Sequence, residues 1–341
     1  MIAPHTRFDL ADDRSASVPP EARGLARDEV RLLAASPEGV QHATFRGLAA
    51  FLNPGDLLVI NTSGTLPAAV DAVRDERVIT VHFSTELDDG NWVVELRAPG
   101  GPILDGRVGE RLGLPAGAVV TLREPHVAGA QRLWRAKIDV EGEVPRYLAK
   151  VGRPIRYGYV PRAWPLPNYQ TVFALDPGSA EMPSAVRPFT AELVTQLVSR
   201  GVLFAPILLH TGVSSPEAGE PPYGERFRVP ATTAALLNWV RDQGGRVIAV
   251  GTTAVRAIES AANPGGLVTA AAGWTELVLG PDRPARAVDG LLTGLHTPEA
   301  SHLLLLEAVV GPELVQRAYD AAVRREYLWH EFGDVSLLTS R

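Results

Sequence analysis

The feature that most constrains this chain is a change of texture part-way along it. Between residues 66 and 150, short runs such as VITVHF, WVVEL, AVVTL and RLWRAKIDV recur between turns rich in Gly, Pro and Asp. Runs of that length at that spacing predict a small all-β barrel or sandwich. Across residues 132–140, Leu133, Arg135, Lys137 and Asp139 alternate with Arg132, Trp134, Ala136 and Ile138, the period of a half-buried strand. On either side of this region, helical and strand patterns alternate instead. Residues 44–52 predict a helix with Thr44 as N-cap, stopped by Asn53, Pro54 and Gly55, and DLLVIN (56–61) predicts a buried strand. Further on come a helix over 190–200 with Gly201 as its stop, the strand VLFAPILL, a helix over 232–243 and the strand RVIAV. Two helices near 299–310 and 312–325 precede a last strand, DVSLL. The expected architecture is α/β: one discontinuous domain, residues 1–65 and 151–341, interrupted by a β domain over residues 66–150.

Composition narrows the chemistry. A length of 341 residues favours two domains, and 45% hydrophobic with 21% charged residues argues against long disorder. The absence of cysteine removes disulfides, thiolate metal sites and cysteine nucleophiles. Eight scattered histidines offer no ligand-spaced pair, so no metal is expected. No cationic segment leads into an apolar one at the start, and no run of about 18 apolar residues occurs. A cytoplasmic protein without a membrane partner is expected; no oligomeric state follows. A net charge of -6 disfavours coating nucleic acid through a general basic surface, but residues 144–175 carry five basic and no acidic residues.

Four constellations could carry chemistry. In VGTTAVRAIES a strand enters a Gly251, Thr252, Thr253 turn and then a helix, so N–H groups and hydroxyls converge on a spot suited to a carboxylate or phosphate. Arg256, one turn on, could add a bidentate contact; the plainer alternative is an N-cap followed by a surface arginine. His210 ends a hydrophobic strand, where open α/β sheets hold ligands, though a lone histidine there is more often structural. His296 stands before Thr297, Pro298 and Glu299, which predict an N-cap, an N1 proline and an acidic first turn. Asp334 follows a glycine among aromatic residues, as either a turn or a positioned carboxylate. Separately, Arg153, Arg156 and Arg162 interleave with Tyr157, Tyr159, Trp164 and Tyr169, the combination that looped RNA recognition uses, or else a proline-stiffened connection.

Taken in order, these pieces resemble the S-adenosylmethionine:tRNA ribosyltransferase-isomerase family of queuosine biosynthesis. The likeness runs through FDL (8–10), GDLLVIN (55–61), YQTVFA (169–174), Gly178 with Ser179, Pro183, Phe189 with Thr190, VGTTAVRAIES, VDGLLTGLHTP and Gly333 with Asp334. The resemblance implies an αβα sandwich domain with an inserted Greek-key β-barrel. It implies transfer and isomerisation of the ribosyl moiety of S-adenosylmethionine, a co-substrate, onto a 7-aminomethyl-7-deazaguanine base in tRNA. Epoxyqueuosine forms, and adenine and methionine leave. It implies cofactor contacts from Tyr169, Gln170, Thr171, Phe173, Gly178, Ser179, Gly251, Thr252, Thr253 and Arg256, with Arg256 and its turn holding the methionine carboxylate. It also implies catalytic roles for His210, Glu225, His296 and Asp334, and substrate contacts from Arg153, Arg156, Arg187 and Thr190. The match frays where members usually read Pro-Thr-Ala-x-Leu-His-Phe-Thr: this chain has PSAVRPFT, with Pro188 at the histidine position and Arg187 beside it. PPYGERF keeps Glu225 but has Tyr223 at a histidine position. Such changes leave open a relative acting on a small-molecule acceptor, or a nucleoside-binding protein without catalysis.

Overall fold

A computed structural model describes residues 3–213, 223–298 and 300–341; Ser214, Ser215 and Glu299 lie outside them. Nine strands form the larger sheet. From edge to edge they are Ala271–Thr275, Glu225–Val229, Leu203–Leu209, Leu57–Asn61, Val247–Val250, Gly290–Gly294, Val335–Thr339, Arg31–Ser36 and Gly39–Thr44. The four from Leu203–Leu209 to Gly290–Gly294 run parallel, Val335–Thr339 opposes them, and Arg31–Ser36 follows Val335–Thr339 in parallel. Strands buried on both faces read as unbroken apolar runs, as LLVIN and VIAV do.

Alternate residues of those strands feed two cores. Leu33, Leu57, Val59 and Ala249 pack with helices Ala231–Asp242, Thr252–Ser260, Ser301–Val310 and Pro312–Arg324. Leu32, Leu58, Ile60 and Ile248 face the opposite way, onto helix Ala191–Ser199 and the Phe45–Phe51 turn. The result is an αβα sandwich. Thr190 caps helix Ala191–Ser199, its Oγ1 accepting from Leu193 N at 3.1 Å, and Gly201 turns the chain at φ 84°.

Two local expectations fail. Residues 45–51 form a 3-10 helix, not an α-helix, and the Thr44 hydroxyl makes no cap bond. Phe45 and Leu48, three apart and both fully buried, eclipse on one side as a 3-10 turn allows. The helix expected to start after Thr297 begins at Ser301, with Ala300 as its cap. Instead the Thr297 carbonyl accepts from Ala300 N at 3.2 Å, so a separate turn precedes the helix; His296, outside it in either case, donates its N–H to the Tyr319 hydroxyl at 3.1 Å and accepts at its carbonyl from Trp329 Nε1 at 2.9 Å.

The texture change marks a barrel. Six antiparallel strands close in the order Ala69–Arg74, Arg77–Glu86, Trp92–Ala98, Leu133–Asp139, Val119–Pro125 and Arg111–Gly113, which pairs back onto Ala69–Arg74. The chain thus crosses one end of the barrel between Ala98 and Arg111, in Greek-key fashion. Arg132, just before the Leu133–Asp139 strand, is buried because its Nη1 donates to Glu95 Oε1 at 2.9 Å. Glu95 also meets His82 Nδ1 at 3.2 Å and Arg97 Nη1 at 3.2 Å. Burial opposes ionisation of Glu95, but the His82 bond and the Arg97 charge outweigh it and hold the carboxyl below its ordinary value.

Glu95→Gln removes the buried charge on which His82, Arg97 and Arg132 converge and is expected to lose about 3 kcal/mol in urea denaturation at pH 7. A depressed native pKa stabilises above the ordinary carboxylate range and loses that contribution as pH falls through the native value. The gap between parent and variant therefore narrows below about pH 4. A gap that stays constant to pH 3 contradicts this.

Candidate active site

A cavity of about 650 Å³ lies between sandwich and barrel, within the size range of small-molecule sites. Thr211, Gly251 and Thr293 to Thr297, at or beyond the carboxyl ends of three parallel strands, form one side, and barrel residues Ser84, Thr85, Val93 and Leu133 form another. The two bodies are tied across the opening. Val213 N donates to Ser84 Oγ at 3.0 Å, Trp274 Nε1 to Asp88 Oδ2 at 2.8 Å, and Arg226 pairs with Asp88.

The Gly251 turn borders this cavity together with Thr252 and Thr253. Gly251 caps helix Thr252–Ser260 at φ 94°, where an L side chain is strained, and a Cβ would sit 3.5 Å from the Ala185 methyl. The helix N-terminus therefore presents its first N–H groups and its dipole on the cavity side. Asn61 braces the turn from beneath, with Nδ2 3.3 Å from Thr253 Oγ1 and 2.8 Å from the Leu209 carbonyl.

Arg256 corrects the simplest version of the expected anchor. Its guanidinium already donates to Glu225, to the Thr275 carbonyl at 3.1 Å and to the Leu277 carbonyl at 3.2 Å. Glu225 in turn accepts from Gly212 N at 3.3 Å, and its burial raises the carboxyl above the ordinary range even with Arg256 alongside. Both residues line the cavity, but each answers the other, so Arg256 shapes the wall and the helix N-terminus remains as the anion-seeking element.

Of the other expected residues, His296 lines the cavity, with Nε2 3.2 Å from Thr293 Oγ1. Its ring stacks on His302 at 4.6 Å and 1°. Burial drives both imidazoles down, His302 to about 4, so the pair is neutral at pH 7. His210 sits behind the wall, its Nδ1 2.8 Å from Ser63 Oγ, which is 2.6 Å from Ser179 Oγ. Gly178 lies flat against this imidazole: a Cβ there would fall 2.4 Å from the ring. Asp334 is a clasp outside this cavity. Its oxygens accept from Arg31 N at 2.8 Å, Arg31 Nε at 2.9 Å and Leu328 N at 2.8 Å.

The YQTVFA motif is also scaffold where cofactor contacts were expected. Tyr169 is buried against Phe332, Gln170 bonds both backbone groups of Thr65, Thr171 Oγ1 accepts from Phe173 N, and Phe173 packs on Phe189 and Phe204. Arg187, expected to touch substrate, is 2% exposed and donates to the Asn168 carbonyl and to Glu21. Thr190 is the helix cap already described. Arg153 and Arg156 are exposed, the first paired with Asp71 and the second donating to the Val160 and Pro161 carbonyls. Sequence reasoning missed Glu181, His302, His330 and Glu331, which line the cavity without a recognisable motif. The His-Glu pair inside the aromatic run YLWHEF was the one local signal. Among the described residues no group of three metal-ligating side chains gathers, and no helix is long and apolar enough to cross a membrane.

Arg256→Ala strips the Glu225 carboxylate of its partner and is expected to cost about 3 kcal/mol in thermal or urea unfolding. Glu225→Gln leaves the guanidinium its two carbonyl acceptors but no counter-charge and should cost a similar amount; a loss below about 1 kcal/mol in either variant would contradict this assignment.

The sequence matches the family described as queuosine biosynthesis protein over residues 4–338. It is 34% identical to an S-adenosylmethionine:tRNA ribosyltransferase-isomerase of Symbiobacterium thermophilum, across 97% of this chain and 98% of that one. The protein of that name from Carboxydothermus hydrogenoformans is 33% identical over 97% of this chain and 98% of its own. The fold is similar to the crystal structure of an S-adenosylmethionine tRNA ribosyltransferase from Thermotoga maritima, with TM-score 0.53 and 26% identity over 97% of this chain and 98% of that one. An αβα sandwich with an inserted six-stranded barrel and sequence agreement along nearly the whole length lead to one conclusion: the chain belongs to the queuosine biosynthesis family of S-adenosylmethionine:tRNA ribosyltransferase-isomerases.

Proposed function

We propose that the protein transfers and isomerises the ribosyl moiety of S-adenosylmethionine onto the aminomethyl group of a 7-deazaguanine base in tRNA, forming epoxyqueuosine and releasing adenine and methionine. The observation that carries this reading is one cavity bordered both by a helix N-terminus and by the basic, aromatic segment that follows the barrel. Tyr157 and Tyr159 of that segment line the cavity, while its Arg153, Arg156 and Arg162 are exposed. An anion-seeking helix end suits the methionine carboxylate, and exposed arginines beside aromatic rings suit an RNA loop. Residues 66–150 then act as one domain, residues 1–65 and 151–341 as the other, with both substrates meeting at their junction.

The sulfonium of S-adenosylmethionine makes the adjacent C5' hydrogens acidic. This chain contributes position and electrostatics. Gly251, Thr252 and Thr253 hold the carboxylate, and the neutral His296 and His302 rings offer hydrogen bonds without adding a positive charge near the sulfonium. Leu277, Leu279, Leu304 and Leu305 supply apolar surface for a flat heterocycle.

Incubation with S-adenosylmethionine and tRNA bearing the 7-aminomethyl precursor should release adenine and yield epoxyqueuosine on nucleoside analysis. Release without tRNA at the same rate, or with a small amine in its place, overturns the tRNA assignment. Gly251→Val, which strains the turn and fills the approach to the helix end, should weaken S-adenosylmethionine binding at least tenfold by calorimetry. Unchanged affinity removes the carboxylate anchor.

A further inference from the structure

Glu331 is one of two residues in the cavity wall, with His126, that keep a buried polar side-chain atom unanswered among the described residues. Its Oε1 is buried and has no hydrogen-bond partner among the described residues, although the residue lines the cavity. Beside it runs a file of rings. Tyr157 stacks on Tyr159 at 6.1 Å and 21°, and Tyr159 on His330 at 4.1 Å and 11°; all three border the same cavity. A buried carboxyl oxygen without a donor is costly to keep, and next to stacked rings it matches a flat ligand that carries a cationic N–H donor. The two tyrosines belong to the segment whose exposed arginines face outward, so this end of the cavity is the side from which RNA would reach it.

We propose that Glu331 takes a proton from the acceptor's primary ammonium and thereby presents the free amine beside the rings of Tyr157, Tyr159 and His330; this rests on the reading given above. The step balances simply. R–NH3+ and the Glu331 carboxylate become R–NH2 and the carboxylic acid, the N–H bond electrons remain on nitrogen as the attacking lone pair, and no other bond changes. The surroundings suit the exchange. Burial, with the Glu181 charge adding and Arg187 opposing, pushes Glu331 up to about 8, far nearer to an alkylammonium than an ordinary carboxylate. The Tyr159 and Tyr169 hydroxyls, both raised chiefly by burial, also feel this charge and stay protonated, and burial holds the adjacent His330 below its ordinary value. Glu331 is thus able to trade a proton near pH 8.

The test uses the full chain with Glu331→Gln and Glu331→Asp. With precursor-bearing tRNA, kcat/KM of the parent should rise with pH and level near pH 8. The Gln variant should fall at least tenfold at pH 7.5, lose that inflection and keep rising toward the amine's own range, and Asp should restore part of the rate. S-adenosylmethionine affinity by calorimetry should be the same in all three. A second measurement needs no turnover: the parent should bind the free 7-aminomethyl-7-deazaguanine base at least tenfold better than the 7-methyl analogue, and Gln should remove most of that preference. An unchanged pH profile in the Gln variant overturns the proposal, as does an undiminished preference for the amine. Loss of S-adenosylmethionine binding would assign Glu331 to the sulfonium instead and overturn it too. A parent that prefers the amine yet releases no adenine from precursor tRNA would sink the proposed reaction while leaving the amine subsite standing.

Discussion

The arrangement of the cavity depends on the ion pair between Arg256 and Glu225. Arg256 rises from the helix whose N-terminus faces the cavity, Glu225 opens an antiparallel strand one in from the edge of the sheet, and Gly212 belongs to the segment leaving the central sheet. The carbonyls of Thr275 and Leu277 complete the guanidinium's partners. Four chain segments are thereby fixed to one planar cation, a task for which the guanidinium fork is better suited than an ammonium. Burial raises Glu225, so the pair is not held by charge attraction in isolation; it holds because each remaining donor and acceptor has a partner.

A second polar chain fixes the layer behind the wall. Ser63, Ser179 and His210 are linked in series, Thr211 N donates to Ser179 Oγ at 3.0 Å, and Gly178 gives the imidazole room that any Cβ would occupy. A histidine at a strand end, a Gly-Ser pair and a serine beyond a buried strand look like catalytic parts when seen in sequence. The burial of Ser63 and Ser179 and the bonding that ties half-buried His210 to them make the group the support on which cavity residues stand. Asp334 belongs with them, since its oxygens close a loop between Arg31 and Leu328.

How much was legible in sequence divides along the same line. Strands buried on both faces, helix stops such as Gly201, and the alternation of the barrel strands are local patterns, and the sandwich and barrel follow from them. The 3-10 turn at Phe45–Phe51 was not legible, because paired burial of Phe45 and Leu48 accompanies it, and neither was the late start at Ser301, where the Thr297 carbonyl accepts from Ala300 N in a turn of its own. The Gly251 turn was legible as an anion-seeking element because strand, glycine and helix are contiguous. The partner of Arg256 was not, since Glu225 lies 31 residues away. Glu181, Tyr159, His330 and Glu331 come from three separated segments, and no spacing rule joins residues that only the fold brings together.

The two-body construction also suits the proposed reaction, which asks one cavity to take two substrates of unequal size. The helix end and the neutral histidines belong to the sandwich, whereas Ser84, Thr85, Val93 and Leu133 belong to the barrel. Buried Arg132 of the barrel reaches from Glu95 to the Tyr223 hydroxyl at 3.0 Å, and Tyr223 precedes the Glu225 strand by two residues. The carboxylate inside the barrel is therefore connected, through one arginine, to the wall that Arg256 organises. Holding two reactants in one orientation converts a bimolecular encounter into a local event, but only if the bodies that hold them keep a fixed relation. The chain of Glu95, Arg132 and Tyr223, together with Asp88 on Arg226 and Trp274, supplies that relation at two points on the barrel, and it does so with polar contacts that a purely apolar junction could not aim.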